Sequence, residues 1–296
     1  GPKSIMIVAK ETPDDPTALC EHVAKVVEAC VAEGRVVHVQ DTFKGHGMLP
    51  GQGKLYSSDR LPEHVDLVIT LGGDGTVLAA AWLFQTVVPP LIPFHLGSLG
   101  FLTVFDFDEY RQVLSRVLDS NVSSEMLYPM DETEPIESPL GPRIQLRMRL
   151  RCQLLRAQGP GEEMKRVMDC HVLNEVTVDR GPSPFMTLIE VHADGRLMTT
   201  ALADGLVVAT PTGSTAYSMS AGGPVVHPDV PAILVTPVCP HSLSFRPLVL
   251  PADTIRDLRL VISPRARADT AWASFDGRNR VEMRRGDALV VTASRY

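Results

Sequence analysis

Along the first third of the chain, short apolar runs alternate with stripes of helical period. Ile5 to Ala9 reads as a buried strand and Asp15-Pro16 as a helix start; Leu19, Val23, Val26, Val27, Cys30 and Val31 then share one helical stripe that Gly34 ends. Val36 to Val39 supplies a second strand and completes a βαβ unit. Val65 to Leu71 predicts a third strand, followed at once by Gly72-Gly73-Asp74-Gly75-Thr76 and an apolar helix through Phe84. Leu91 to His95 predicts a fourth strand, and Tyr110, Val113, Leu114, Val117 and Leu118 fall on one face of a further helix. Such alternation implies a parallel sheet covered by helices. Lys44 to Lys54, rich in glycine, reads as a mobile surface loop.

After about residue 120 the period changes to two. From Arg143 to Leu154 the even positions are apolar (Ile144, Leu146, Met148, Leu150, Cys152, Leu154) and the odd ones polar, the pattern of a half-buried antiparallel strand. Arg143, Arg147, Arg149 and Arg151 would form its solvated face, with an anion-binding stripe as the alternative. Asp194-Gly195 between two strand-like runs signals a hairpin, and Leu258 to Ile262 and Ala288 to Thr292 supply further strands. The fold expected is an α/β N-terminal domain with a Rossmann-like parallel sheet over residues 3–120. An all-β, sandwich-like C-terminal domain follows over 121–296, its last segment a candidate to return to the first domain.

Composition narrows the function classes. The 296 residues carry 28 Lys and Arg against 35 Asp and Glu, a net charge of −7 that disfavours nucleic acid held by counterion release. Those charges are unevenly placed. Residues 75–105 contain no Asp, Glu, Lys or Arg, and residues 205–245 contain only Asp229, although charged residues make up 21% of the chain. Pro89, Pro90, Pro93, Gly97 and Gly100 interrupt the first stretch too often for a membrane helix, so both read as buried or site-lining segments. The cysteines at 20, 30, 152, 170 and 239 form no C-x-x-C pair, which suits a reduced compartment with the thiols as ordinary core or surface residues. No histidine spacing marks a fixed metal site. Gly1-Pro2 reads as the remnant of a cleaved tag, so the start of the chain says little about targeting.

Three segments can carry chemistry. Gly72-Gly73-Asp74-Gly75-Thr76 falls where a strand ends and a helix begins; its glycines admit a phosphate to the backbone, and the helix start favours an anion. Asp74 would repel that phosphate unless Mg²⁺ or a reacting hydroxyl stood between them. The plain alternative is a turn capped by an aspartate. Thr210-Pro211-Thr212-Gly213-Ser214-Thr215-Ala216-Tyr217-Ser218 gathers hydroxyls after the strand Leu206 to Ala209, either to bind ribose and phosphate oxygens or to cap a helix. Asn174-Glu175, taken alone, reads as a surface pair whose side chains point to opposite faces of a strand.

Taken together, Leu71 to Thr76, Phe94-His95-Leu96-Gly97-Ser98-Leu99-Gly100-Phe101-Leu102, Leu173-Asn174-Glu175 and Thr210 to Tyr217 resemble the NAD kinases, and Val238 to Pro247 resembles the eukaryotic branch. The resemblance covers the chain from about Lys3 onward. It implies transfer of the γ-phosphoryl group of ATP to the 2′-hydroxyl of the adenosine ribose of NAD, giving NADP, at a site between the two domains. It casts Asp74 as the catalytic aspartate and Gly72, Gly73 and Thr76 as phosphate contacts. Gly75, Phe101, Asn174, Glu175, Asp204, Thr215, Ala216, Tyr217 and Ser220 become NAD and nucleotide contacts. Mg²⁺ is expected to arrive with ATP, with Asp74 as a candidate ligand and no fixed protein metal site. The same resemblance implies a homo-oligomer, tetramer or dimer, with NAD and ATP as substrates and neither nucleic acid nor membrane as partner. The expected compartment is the cytoplasm, with an organellar form left open. The family often has Gly-Asp-Gly where this chain has Ala203-Asp204-Gly205, which matters only if position 203 needs a positive φ.

Rival readings are a Gly-Gly-Asp-Gly kinase acting on a lipid or sugar, and a non-catalytic NAD(P)-binding module. On the kinase reading the charge-poor stretches flank a nucleotide cleft, and phosphates are held mainly by backbone amides, hydroxyls and Mg²⁺.

Overall fold

Six strands build the sheet of the first unit: β1 (Ser4–Ala9), β2 (Val36–Gln40), β3 (Lys54–Tyr56), β4 (Leu67–Leu71), β5 (Leu91–His95) and β6 (Phe105–Asp106). A computed structural model describes residues 1–10, 16–43, 53–118, 144–159, 162–242 and 244–296. Its contacts divide into two units, Gly1–Leu146 and Arg147–Tyr296. The domain boundary expected at 120/121 lies outside the described residues, as do residues 44–52 of the glycine-rich loop.

In the first unit the strand order is β3-β2-β1-β4-β5-β6, every neighbouring pair parallel. Helices α1 (Pro16–Ala32), α2 (Asp74–Leu83) and α3 (Tyr110–Leu118) cover it. Ile5, Ile7, Ile69 and Leu71 pack with Val23, Val26 and Cys30 of α1 and Leu114 of α3, while Met6, Val8 and Val68 pack with Ala80 of α2 on the other face. Gly34, at φ +73°, ends α1: its amide donates to Val31 at 2.9 Å and the Arg35 amide to Cys30 at 3.1 Å, a Schellman closure. β4 begins at Leu67 rather than Val65. The Asp66 carboxylate instead takes the Lys3 and Ser4 amides at 2.7 and 2.9 Å, fastening the start of β1. β3 and β6 were not expected, being too short to show a period. The strand order reverses between β1 and β4, so their carboxyl ends flank the crevice in which open α/β sheets bind ligands.

The second unit contains β7 (Leu150–Arg156), β8 (Lys165–Val172), β9 (Glu175–Asp179), β10 (Thr187–Ala193), β11 (Arg196–Ala203) and β12 (Gly205–Ala209). It continues with the short helix α4 (Tyr217–Ser220) and with β13 (Ala232–Val238), β14 (Leu248–Pro251), β15 (Leu258–Ile262), β16 (Thr270–Phe275), β17 (Arg278–Arg284) and β18 (Ala288–Ala293). These form two antiparallel sheets, β11-β10-β15-β18-β7-β8 and β14-β13-β12-β9-β16-β17, the sandwich-like arrangement expected. Asp194 and Gly195, at φ +48° and +77°, make the hairpin turn between β10 and β11.

The strand expected from Arg143 begins only at Leu150. Leu150, Cys152 and Leu154 face inward, but Leu146 is 61% exposed and Arg149 only 4%, the reverse of the alternating pattern. Arg149 leaves the solvent because its guanidinium donates to the Tyr296 carbonyl at 3.1 Å. Arg151 is exposed and paired with Asp169 at 2.7 Å. The charge-poor stretch 75–105 is also less buried than expected, with Leu99 70% and Phe101 61% exposed. Cys20, Cys30, Cys152 and Cys170 are buried free thiols and Cys239 is exposed. Among the described residues, no helix is long and apolar enough to cross a membrane.

Candidate functional site

The glycine turn sits at the carboxyl end of β4. The Gly72 amide donates to the Phe94 carbonyl at 3.0 Å, holding the turn against β5, and a Cβ on Gly72 would strike the Thr76 hydroxyl. Gly73 and Gly75 are exposed and a Cβ on either would meet nothing within 4 Å. Their lack of side chains therefore keeps the approach to the backbone open rather than relieving a clash. Gly73 is the N-cap of α2, with no side chain capping the helix, so Asp74 is not the capping residue of the plain alternative.

Asp74 instead holds the next loop. Its Oδ1 accepts the Leu102 and Thr103 amides at 3.0 and 3.2 Å and the Thr103 hydroxyl at 3.1 Å; its Oδ2 accepts the Phe101 amide at 3.0 Å. A Cβ on Gly100 would strike Asp74 Oδ1, so the loop can close on the carboxylate only because residue 100 is glycine. A carboxylate offers about four lone pairs. Four donors are already in place, three of them crowding Oδ1, and the outward edge of Oδ2 is what Asp74 has left for a ligand. The fold thus brings Gly72, Gly73, Asp74, Gly75, Thr76 and the Phe101 backbone into one cluster.

In the second unit the chain turns from β8 into β9 at Leu173-Asn174. Asp276, at the Asp276-Gly277 turn between β16 and β17, receives the amides of Leu173, Asn174 and Glu175 at 2.8, 2.9 and 3.0 Å. Both turn residues have positive φ, +47° and +70°. Thr210 closes the corner from the other side, its amide donating to the Asn174 carbonyl at 2.8 Å and its hydroxyl to that of Leu173 at 2.6 Å. Its hydroxyl also accepts the Gly213 amide at 3.0 Å, which starts the 3-10 turn Thr212–Thr215. A side chain on Gly213 would collide with the Asn174 carbonyl. The glycine is required by this close approach.

Asn174 and Glu175 are consequently buried, not a surface pair, since a corner rather than a strand interior presents them. Asn174 Oδ1 and Glu175 Oε2 are buried with no hydrogen-bond partner. Burial pushes the Glu175 carboxyl up to about 7, the nearby Asp276 charge adds to this, and the Tyr217 amide donating to it works the other way. Burial raises Asp276 as well, against the pull of its three amides.

Tyr217 opens α4 beside this corner, and Asp179, Asp204 and Glu175 are near enough to add to the upward shift that burial gives its hydroxyl. Asp204 pairs with Arg180 at 3.1 Å. Ala203 is buried and has no positive φ, so its methyl disturbs nothing at Asp204. Thr215 ends the 3-10 turn, Ala216 joins it to α4, and Ser220 ends α4 on the surface. Sequence reasoning missed Asp276, although its Asp-Gly pair carried the same turn signal as Asp194-Gly195. It placed Arg147 on a solvated strand face, whereas Arg147 donates to the Thr212 hydroxyl at 3.3 Å.

Comparison with known proteins agrees with this geometry. Residues 5–122 match the ATP-NAD kinase N-terminal domain and residues 173–296 the ATP-NAD kinase C-terminal domain. The chain is 45% identical over 255 residues to an NAD(+) kinase of Saccharomyces cerevisiae, covering 82% of this chain and 44% of that one. It is 44% identical over 270 residues to the ATP-NADH kinase YEF1 of the same yeast, covering 87% and 50%. The chain thus spans about half the length of these curated relatives. Among solved structures, a yeast NADH kinase complexed with NADH superposes with a TM-score of 0.80 at 32% identity, covering 99% of this chain and 81% of that one. An Archaeoglobus fulgidus NAD kinase in complex with ATP shares the fold at a TM-score of 0.68 and 22% identity, covering 99% and 91%. With both domain families matched in order and the buried Asn-Glu corner and the glycine turn in place, the chain belongs to the NAD kinase family.

Proposed function

We propose that this chain transfers the γ-phosphoryl group of ATP to the 2′-hydroxyl of the adenosine ribose of NAD, forming NADP and ADP. The observation that carries the reading is the pair of unpartnered buried acceptors, Asn174 Oδ1 and Glu175 Oε2, at a corner rigidly fixed by Asp276 and Thr210. Buried acceptors of this kind are costly unless a ligand brings donors, and the amino and hydroxyl groups of a nucleoside are such donors.

In the transfer the ribose oxygen bonds to the γ-phosphorus, the bond from that phosphorus to the β,γ-bridging oxygen breaks to release ADP, and the hydroxyl proton passes by way of Asp74 Oδ2 to water. Phosphoryl transfer is mostly positioning and electrostatic stabilisation. Asp74 is suited to positioning, because four donors immobilise its carboxylate and the free edge of Oδ2 can accept a hydrogen bond from the ribose hydroxyl and orient it. The first turn of α2 and the open backbone at Gly73 and Gly75 suit the phosphates. Among the described residues no three His, Cys, Asp or Glu side chains converge. We take Mg²⁺ to arrive on the triphosphate, whose oxygens would hold it. When bound, Mg²⁺ supplies charge neutralisation of the phosphates.

Incubation with Mg-ATP and NAD, with NADP read by a dehydrogenase specific for it, tests the proposal; binding of NAD without turnover would contradict it. NADH belongs in the acceptor panel because similar yeast proteins bear that name. A lipid or sugar acceptor is disfavoured by the C-terminal match over 173–296, which contains the whole Asn174 corner. Homo-oligomeric assembly and cytoplasmic residence are proposed from family resemblance, and light scattering and fractionation test them.

A further inference from the structure

We infer that Lys10 is the cation that grips the donor's phosphates at the glycine turn. This rests on the phosphoryl-transfer reading and adds to it a residue outside the motifs. Lys10 is the first residue after β1 and is exposed. Its amide donates to the Leu71 carbonyl at 3.0 Å, which fixes its Cα beside the carboxyl ends of β1 and β4, where the strand order reverses.

The Lys10 Cβ lies 3.1 Å from where a Cβ on Gly72 would stand, so the lysine stem starts directly against the turn. Asp74 is the sole charged residue from Leu71 to Phe105. A triphosphate at this turn stays net negative even with Mg²⁺ bound and meets a negative side chain, and the α2 dipole offers only about half a charge in compensation. A lysine stem rooted beside Gly72 can bring the missing positive charge, its ammonium a point charge able to follow the phosphate. The sequence reading, in which phosphates are held mainly by amides, hydroxyls and Mg²⁺, did not weigh Lys10, which lies far from the turn in sequence.

Calorimetric binding of Mg-ATP and of inorganic triphosphate to the whole chain tests this. Lys10→Ala should weaken both by roughly 10- to 100-fold, the worth of a charged hydrogen bond, and leave adenosine binding unchanged. Lys10→Arg should retain most of the affinity, and the Michaelis constant of Lys10→Ala should rise for ATP but not for NAD. A melting temperature equal to that of the parent chain checks folding, with Lys10→Met as a second variant. Parental ATP affinity in Lys10→Ala and Lys10→Met overturns the inference, as does equal weakening of adenosine. If the parent makes no NADP yet its ATP binding depends on Lys10, the functional reading fails and this one stands. If the parent binds neither ATP nor triphosphate, both fail.

Discussion

Asp276 and Glu175 are bonded to each other in both directions: the Asp276 amide donates to the Glu175 carbonyl at 2.9 Å, and the Glu175 amide donates to Asp276 Oδ1 at 3.0 Å. With Leu173 and Asn174 also donating to the same carboxylate, one hairpin turn sets the direction in which the Asn174 and Glu175 side chains point. Replacing Asp276 by Asn puts an amide donor against one of these three amides. We expect a loss of about 1–3 kcal/mol in denaturant unfolding together with weaker NAD binding. An unchanged unfolding midpoint would show that Asp276 does not hold the corner.

The raised Glu175 carboxyl makes stability depend on pH. The folded chain holds this proton up to about 7, whereas an ordinary glutamate releases it near 4.5. The native state thus binds more protons than the unfolded chain in that window, and the slope of stability against pH is negative. The contribution is fully present below about pH 4.5 and is lost as pH rises through 7. Glu175→Gln should flatten the profile over this window, measured by denaturant unfolding at several pH values. A slope that persists in the variant assigns the proton elsewhere.

Asp74→Asn should lower turnover by roughly 10²- to 10⁴-fold. The amide nitrogen cannot accept from the Phe101 amide as Oδ2 does, so amide hydrogen exchange over 101–103 should also speed up. A variant that exchanges faster but keeps more than a tenth of parental turnover would confine Asp74 to a structural role.

Two glycines distinguish close approach from open access. Gly213→Ala drives a methyl into the Asn174 carbonyl and should cost about 1–3 kcal/mol in stability and weaken NAD binding. Gly75→Ala meets open space inside α2 and should leave stability equal or up to about 1 kcal/mol higher. Thermal unfolding of the pair reads both, and equal destabilisation would contradict the packing described at Gly213.

Much of this was legible because it is local. The α1 stripe ending at Gly34, the strand feeding Gly72, and the Asp194-Gly195 hairpin each depend on neighbours within a few residues. The glycine turn at Asp74 was legible as a motif, but the grip of its carboxylate on Phe101 to Thr103 was not, since chain separated by a helix and a strand must fold back to reach it. Asp276 reaches back to Leu173 from more than a hundred residues further along the chain, and no period or spacing announces such a pairing. The strand at Leu150 was overextended because Arg149 breaks the alternation by reaching the Tyr296 carbonyl, a partner that only tertiary structure supplies.

Whether the fixed acceptors Asn174 and Glu175 and the immobilised Asp74 serve phosphorylation of NAD is decided by coupled detection of NADP. The chain incubated with Mg-ATP and NAD should form NADP, and Asp74→Asn should nearly abolish its formation. No NADP from a folded, NAD-binding parent chain would contradict that role.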